Sequence, residues 1–303
     1  MTLPTPLEPA PPALAAGRDV LLKREDTHEL GSFKWRGALP ALVSFRNRGA
    51  DAVVTASTGN HGAATAWAAA RLGLTAFVYA PLGSSAKKLA HVERFGAELR
   101  LAGADLDEAK DEARSFADAR DLPFFEDGAE PAQFEGYAAI GEEILDQVPQ
   151  QPGAVVVPVG NGALIAGIGR ALTSRSPDSL CIGVVAKDAP VMALSWRARR
   201  PVECDRCATF ADGLAARVAV PLAVAELDEV VDRMLEVSER ELARAVAAYT
   251  ALDTRVEGAG AASLAALPQL TDVEGPIVLV VTGRNIENEL FARCLERPES
   301  FPD

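Results

Sequence analysis

The chain has 303 residues, of which 49% are hydrophobic and 24% charged, with a formal net charge of −13. That length suffices for one large or two modest domains with real cores, the composition is that of a soluble globular protein, and the acidic balance argues against binding a nucleic-acid backbone. No run approaches the roughly 20 apolar residues of a membrane-spanning helix, and the proline-rich start, residues 1–12, has no basic cluster ahead of an apolar stretch and so does not read as a signal peptide.

Strand-like and helix-like segments alternate from there. Asp19-Val20-Leu21-Leu22-Lys23-Arg24 reads as the first strand. Pro40 either starts a helix after it or kinks one. Ala52-Val53-Val54-Thr55 reads as a strand followed by an alanine-rich helix over 62–72, and Ala76-Phe77-Val78-Tyr79 as a strand followed by a helix over 85–95. Glu98-Leu99-Arg100-Leu101 is a short strand before a charged helix over 105–120. Val155-Val156-Val157 and Cys181-Ile182-Gly183-Val184-Val185 are strands flanking a helix over 163–173, and Ile277-Val278-Leu279-Val280-Val281 is the last strand. Short, continuous apolar strands separated by helices argue for parallel sheet covered on both faces. The expected class is therefore α/β, doubly wound. There is no internal repeat or low-complexity linker, and 198–208 is the least regular interior stretch. Four cysteines at irregular positions point to reduced thiols and a cytoplasmic setting. Cys204 and Cys207 form one Cys-x-x-Cys, but no second pair or nearby histidine completes a zinc site, so no metal is expected.

Ligands of open parallel sheets bind beyond the carboxyl ends of the strands, and four segments there carry suitable groups. Lys34 lies in Gly31-Ser32-Phe33-Lys34-Trp35-Arg36-Gly37-Ala38, between small residues and a bulky aromatic at a strand-to-helix junction. That setting can make a lysine amine a nucleophile toward aldehydes. Ser57-Thr58-Gly59-Asn60-His61-Gly62 offers hydroxyls, an amide and free backbone N–H groups to an anion such as a carboxylate; equally, Thr58 or Asn60 simply caps the next helix. Gly160-Asn161-Gly162-Ala163-Leu164 suits a phosphate at a helix N-terminus, or is only a tight turn. In Thr282-Gly283-Arg284-Asn285 the hydroxyl either meets a ring nitrogen or caps a helix over 286–294.

The combination Gly-Ser-Phe-Lys-x-Arg-Gly-Ala at 31–38 with Ser-x-Gly-Asn-His-Gly at 57–62 is highly specific. The chain resembles the threonine/serine dehydratase (ammonia-lyase) family of pyridoxal phosphate enzymes, with the tryptophan-synthase-β-like fold, fold type II. The resemblance runs from Thr5-Pro6-Leu7 to Thr282–Asn285. It takes in Thr209-Phe210-Ala211-Asp212-Gly213-Leu214-Ala215 and Val256-Glu257-Gly258-Ala259-Gly260-Ala261. It implies that Lys34 holds pyridoxal phosphate covalently and then removes the substrate Cα proton. Ser57, Asn60 and His61 would grip the substrate carboxylate, with Asn60 also touching the cofactor's phenolic oxygen. Phe33 would stack on the ring, Gly160, Asn161, Gly162, Ala163 and Leu164 would cradle the phosphate, and Thr282 would face the pyridine nitrogen. Glu257 matches a glutamate near the cofactor, or is a helix first-turn acid. Thr58 stands where racemases of the family have a serine as second-face acid or base. It is counted with Lys34 as catalytic and with the substrate-binding residues, although its extra methyl stiffens the rotamer and puts racemisation in doubt.

Other departures are Gly-Asn-Gly in the phosphate loop and Glu135-Gly136-Tyr137, both closer to threonine synthases. Gly183-Val184-Val185-Ala186 lacks the acidic metal ligand of metal-activated members, and Arg284 takes a position usually glycine. The expected activity is elimination of water from a small β-hydroxy amino acid such as threonine or serine, giving a 2-oxo acid and ammonia. Alternatives are a threonine-synthase-like or other β/γ-replacement lyase, and a non-catalytic pyridoxal phosphate-binding protein. A homodimer is the expected assembly. Feedback inhibition is not expected, because the sequence ends soon after the catalytic region. The expected lobes are a large one, 1–48 with 128–303, and a small mobile one, 49–127, carrying the Ser57–Gly62 loop and closing over substrate.

Overall fold

The structure, a computed structural model, describes residues 4–204, 207–250 and 253–303. Residues 1–3 of the proline-rich start and residues 205 and 206 of the irregular loop lie outside the described residues. In chain order the elements are β1 (Leu7–Pro9), α1 (Pro12–Ala15), β2 (Val20–Arg24), α2 (Trp35–Asn47), β3 (Ala52–Ala56), α3 (Asn60–Leu72), β4 (Thr75–Ala80), α4 (Ala86–Glu93), β5 (Glu98–Leu101) and α5 (Leu106–Ala119). There follow α6 (Pro131–Gln147), β6 (Ala154–Pro158), α7 (Ala163–Arg175), β7 (Leu180–Ala186), α8 (Val191–Ala198), α9 (Pro221–Val230), β8 (Arg233–Val237), α10 (Glu239–Thr250), α11 (Gly258–Ala266), β9 (Ile277–Val281) and α12 (Asn288–Glu296). The chain divides into two compact units, Met1–Phe33 with Tyr137–Asp303, and Lys34–Gly136.

The first unit is built on a six-stranded sheet in the order β1-β2-β9-β6-β7-β8. All neighbours are parallel except β1, which runs antiparallel to β2. β6 and β9 are buried along their whole length, as their unbroken Val/Leu/Ile runs require of central strands. Each such side chain is worth about 1.5–3 kcal/mol when buried. The Ala/Gly-rich α11 lies against β6 and β9 and is itself buried at every residue. Its small side chains allow close approach, and Ser263 Oγ donates to the Val156 carbonyl at 2.9 Å. Lys23 in β2 is fully buried. Its Nζ donates to Thr5 O at 2.9 Å, Glu143 Oε2 at 2.6 Å and Gln147 Oε1 at 2.9 Å, which gives the ammonium the partners a buried charge needs.

The second unit holds a parallel three-stranded sheet, β3-β4-β5. Residues 123–125 run beside β3: Val54 N donates to Pro123 O at 3.0 Å and Phe125 N to Val54 O at 2.7 Å. This brings the segment after Phe125 to the carboxyl end of β3, where the loop into α3 begins. The unit starts at Lys34, whereas the sequence placed the small lobe at 49–127. The difference is α2. Its buried face meets α3 and the sheet edge through Trp35 on Trp67 (6.2 Å between rings) and Phe45 on Phe125 (5.8 Å). Pro40 lies inside α2 rather than at its start. Having no N–H, it cannot bond the Arg36 carbonyl one turn earlier. A Cβ at Gly136 would lie 1.9 Å from that same carbonyl oxygen, so only glycine fits there. Gly136→Ala is expected to cost about 3 kcal/mol, the upper end of ordinary overpacking, read as a fall in urea midpoint with unchanged slope.

Candidate cofactor and substrate site

Lys34 occupies the N-cap position of α2 with helical dihedrals, and its carbonyl accepts from Ala38 N. Its side chain is 15% exposed and its Nζ donates to Asp127 Oδ2 at 2.5 Å. No motif or local spacing singles out Asp127 in the sequence. It lies 93 positions from Lys34, in the segment beside β3. Its other oxygen, Oδ1, accepts from Gln133 Nε2 at 3.1 Å and faces His61 Nδ1 at 3.6 Å. Gln133 is held in turn by Gly128 N, which donates to its Oε1 at 2.9 Å. Burial pushes the Asp127 carboxyl up, but the Lys34 ammonium, His61 and the Lys34 and Gln133 hydrogen bonds outweigh it and hold it well below the usual carboxylate range.

In the Ser57–Gly62 loop, the N-cap position of α3 is Gly59. Neither Thr58 nor Asn60 therefore occupies the N-cap position. Ser57 Oγ accepts from Gly59 N at 3.2 Å and closes the turn. Ser57, Thr58 and Asn60 are half-buried. The His61 ring instead points into the unit. Nε2 lies 3.1 Å from Thr55 Oγ1 and 3.2 Å from Phe125 O. The ring is thus engaged inside the unit, while the His61 backbone N–H lies in the first turn of α3. Burial pushes its imidazole down; Asp127 opposes this, and Lys34 and Lys110 reinforce it.

The first unit carries the remaining candidates. Residues just before Lys34 are pinned to the segment after β9: Ser32 bridges Gly283, Phe33 N donates to Thr282 O at 3.0 Å, and Asn285 Nδ2 donates to Leu30 O at 2.7 Å. The Phe33 ring packs on Tyr137, 5.2 Å between centroids. Thr282 is 2% exposed, and its Oγ1 has no hydrogen-bond partner among the described residues. It is no helix cap, since α12 starts only at Asn288 with Glu287 as N-cap. Glu257 is the N-cap residue of α11, yet its side chain does not cap the helix. Its Oε2 accepts from Asn285 N at 3.1 Å, and its N–H donates to Gly283 O at 3.0 Å. It thus holds the segment that presents Thr282. Arg284 is exposed and forms no ion pair among the described residues.

Gly160–Leu164 runs from the carboxyl end of β6 into α7. Gly162, the N-cap of α7, has φ +91°, where a side chain is strained. At Gly160 a Cβ would lie 2.2 Å from Gly213 O. Gly213 belongs to the Thr209–Ala215 motif and backs onto Ala259 of the Val256–Ala261 motif. The first of these stretches thus packs on the glycine loop and the second packs on the first. Asn161 Oδ1 accepts from Ala163 N at 3.1 Å, so the Ala163 amide, expected in the phosphate cradle, is taken by a neighbouring side chain. A cavity of about 230 Å³ lined by Thr173, Cys181, Asp228 and Asp232 lies at the amino end of β7, the opposite edge from this loop. Among the described residues no cluster of His, Cys, Asp or Glu is arranged to hold a metal ion, and no helix is long and apolar enough to cross a membrane.

This arrangement has counterparts. The chain is 33% identical over 288 residues to the L-threonine ammonia-lyase of Thermotoga maritima, covering 93% of this chain and 71% of that one. It is 34% identical over 285 residues to the L-threonine ammonia-lyase of Geobacter sulfurreducens, with the same coverage. Among solved structures, threonine deaminase isoform 2 from Solanum lycopersicum superposes with a TM-score of 0.91 at 29% identity, covering 97% of this chain and 88% of that one. The T.th. threonine deaminase superposes with a TM-score of 0.87 at 31% identity, covering 94% of each chain. The family described as pyridoxal-phosphate dependent enzymes matches residues 2–283, and the chain belongs to it.

Proposed function

We propose that the chain is a pyridoxal phosphate-dependent ammonia-lyase that removes water from a small β-hydroxy amino acid, threonine or serine, to give a 2-oxo acid and ammonia. Two features support the fit to the cofactor. One is the glycine loop at 160–162, which opens α7 and where a Cβ at Gly160 would strike the Gly213 carbonyl. The other, which carries the reading, is the buried Thr282 hydroxyl without a partner among the described residues. A buried hydroxyl calls for a hydrogen-bond partner, and a ring nitrogen supplies one.

Pyridoxal phosphate, when bound, draws electron density from the substrate Cα into its ring. Thr282 Oγ1 would be a neutral hydrogen-bond partner for the pyridine nitrogen, and a neutral partner there would favour prompt loss of the β-substituent. Lys34 would anchor the cofactor, and its amine, once displaced by the substrate, would hold the Cα proton. Ser57, Thr58 and Asn60, with the backbone amides opening α3, would bind the substrate carboxylate. Gly160, Asn161, Gly162 and Leu164 hold the phosphate at the start of α7, with the Ala163 amide joining once Asn161 Oδ1 turns aside. Phe33 flanks the ring, and Glu257 keeps Thr282 in place through Asn285. A cytoplasmic homodimer is the proposed setting, and light scattering of the purified protein tests the dimer.

A substrate panel tests the reading. Release of 2-oxo acid is expected from threonine and serine and not from O-phosphohomoserine. Turnover of the phosphorylated substrate alone would make the protein a replacement lyase, and no turnover on any of the panel despite bound cofactor would make it a binding protein.

A further inference from the structure

In the second unit one carboxylate serves two bases. Asp127 Oδ2 accepts from the Lys34 ammonium at 2.5 Å, and Oδ1 faces His61 Nδ1 at 3.6 Å. The tautomer of His61 follows from its other neighbours. Thr55 Oγ1 donates its proton to Phe125 O at 2.8 Å, so both Thr55 Oγ1 and Phe125 O can only accept from His61 Nε2. The single proton of a neutral ring therefore sits on Nε2, and Nδ1 turns a bare lone pair toward the Asp127 carboxylate. That contact is favourable only when Nδ1 also carries a proton. The charged groups around the ring are Asp127, Lys34 at the start of α2 and Lys110 on α5; Lys110 is itself paired with Glu126, which also accepts from Arg114.

We propose that Asp127 is a shared counter-ion that passes from Lys34 to His61 when Lys34 joins the cofactor, His61 taking up the proton that Lys34 gives up. The proposal rests on the reading of Lys34 as cofactor anchor. In the joining step the aldehyde C=O bond is replaced by a C=N bond to Nζ. The oxygen leaves as water with two of the three ammonium hydrogens, and the third goes to His61 Nδ1. Charge is conserved: Lys34 ammonium with Asp127 carboxylate becomes His61 imidazolium with Asp127 carboxylate. Asp127 is thus a positioning residue. It holds the amine before loading, and after loading it fixes a cationic His61 at the foot of the helix whose first turn is to meet the substrate carboxylate.

Nitrogen-15 NMR of the histidine rings tests this. The chain has three histidines, so His61 is assigned by its absence in His61→Gln. In cofactor-free protein near neutral pH, Nδ1 of His61 is expected to show the shift of a bare ring nitrogen. On adding pyridoxal phosphate, and separately in Lys34→Met without cofactor, it is expected to move to the shift of a protonated nitrogen. In Asp127→Asn it should stay bare in both states, whereas a merely structural Asp127 would change stability and leave the response to loading intact. A His61 that stays neutral in Lys34→Met, or that does not respond while the visible absorbance of bound cofactor appears, overturns the exchange. If no such absorbance appears, the anchor reading and the covalent trigger fail together, and the Lys34→Met arm alone decides whether Asp127 exchanges partners.

Discussion

Lys34→Ala is expected to abolish the visible absorbance of bound pyridoxal phosphate and to lower 2-oxo acid release by about 10⁴-fold or more, the scale on which enzymes lose rate when a covalent catalytic group is removed. Two functions fall together, because the same nitrogen anchors the cofactor and takes the Cα proton. The fold should survive. Lys34 is the N-cap residue of α2, outside the hydrophobic core, and its side chain does not cap the helix, so the variant removes no helix contact. The Asp127 carboxylate left behind keeps Gln133 as a donor and has His61 beside it. Unchanged circular dichroism with lost absorbance and lost turnover is the expected pattern. Retained absorbance in the variant would place the anchor elsewhere.

The second large effect is at Gly160. A methyl group there would sit 2.2 Å from the Gly213 carbonyl oxygen, and Gly213 is itself close-packed, since a Cβ on it would lie 2.7 Å from Ala259 Cβ. Gly160→Ala therefore has to shift the loop itself. Overpacking of this kind costs about 1–3 kcal/mol. Expressed in the cofactor equilibrium, that is roughly a 5- to 150-fold loss of pyridoxal phosphate affinity. Titrating cofactor-free protein and following the absorbance measures it. Affinity within twofold of the parent would mean that the loop does not hold the phosphate.

The central strands were legible because their physics is one-dimensional. β6 and β9 are buried on both faces, so they appear as unbroken apolar runs, and β3 and β4 are nearly so. β8 was not read because it is an edge strand: Arg233 and Glu236 interrupt it, and only Met234 and Val237 are buried. β1 has three residues and ends in proline. The lysine, Ser57–Gly62, Gly160 and Thr282 segments could be picked out because each sits at the carboxyl end of a readable strand. Asp127 could not. Its significance comes from the pairing of 123–125 with β3, a long-range contact that no local spacing encodes. The inward turn of the His61 ring was hidden for the same reason, whereas the capture of the Ala163 amide by Asn161 is a local bond two residues apart, of the kind an Asn in a turn can make. The direction of the His61 ring is set by tertiary neighbours, Phe125 among them. The unit boundary moved to Lys34 because α2 finds its apolar partner in α3, which its own sequence does not specify.

All of the proposed chemistry turns on Lys34 carrying the cofactor. Its most direct test is borohydride reduction of the protein loaded with pyridoxal phosphate, followed by digestion and mass spectrometry. A single phosphopyridoxyl-modified peptide is expected, with the label on Lys34. A label on another lysine, or no label on protein that releases 2-oxo acid, would contradict that assignment.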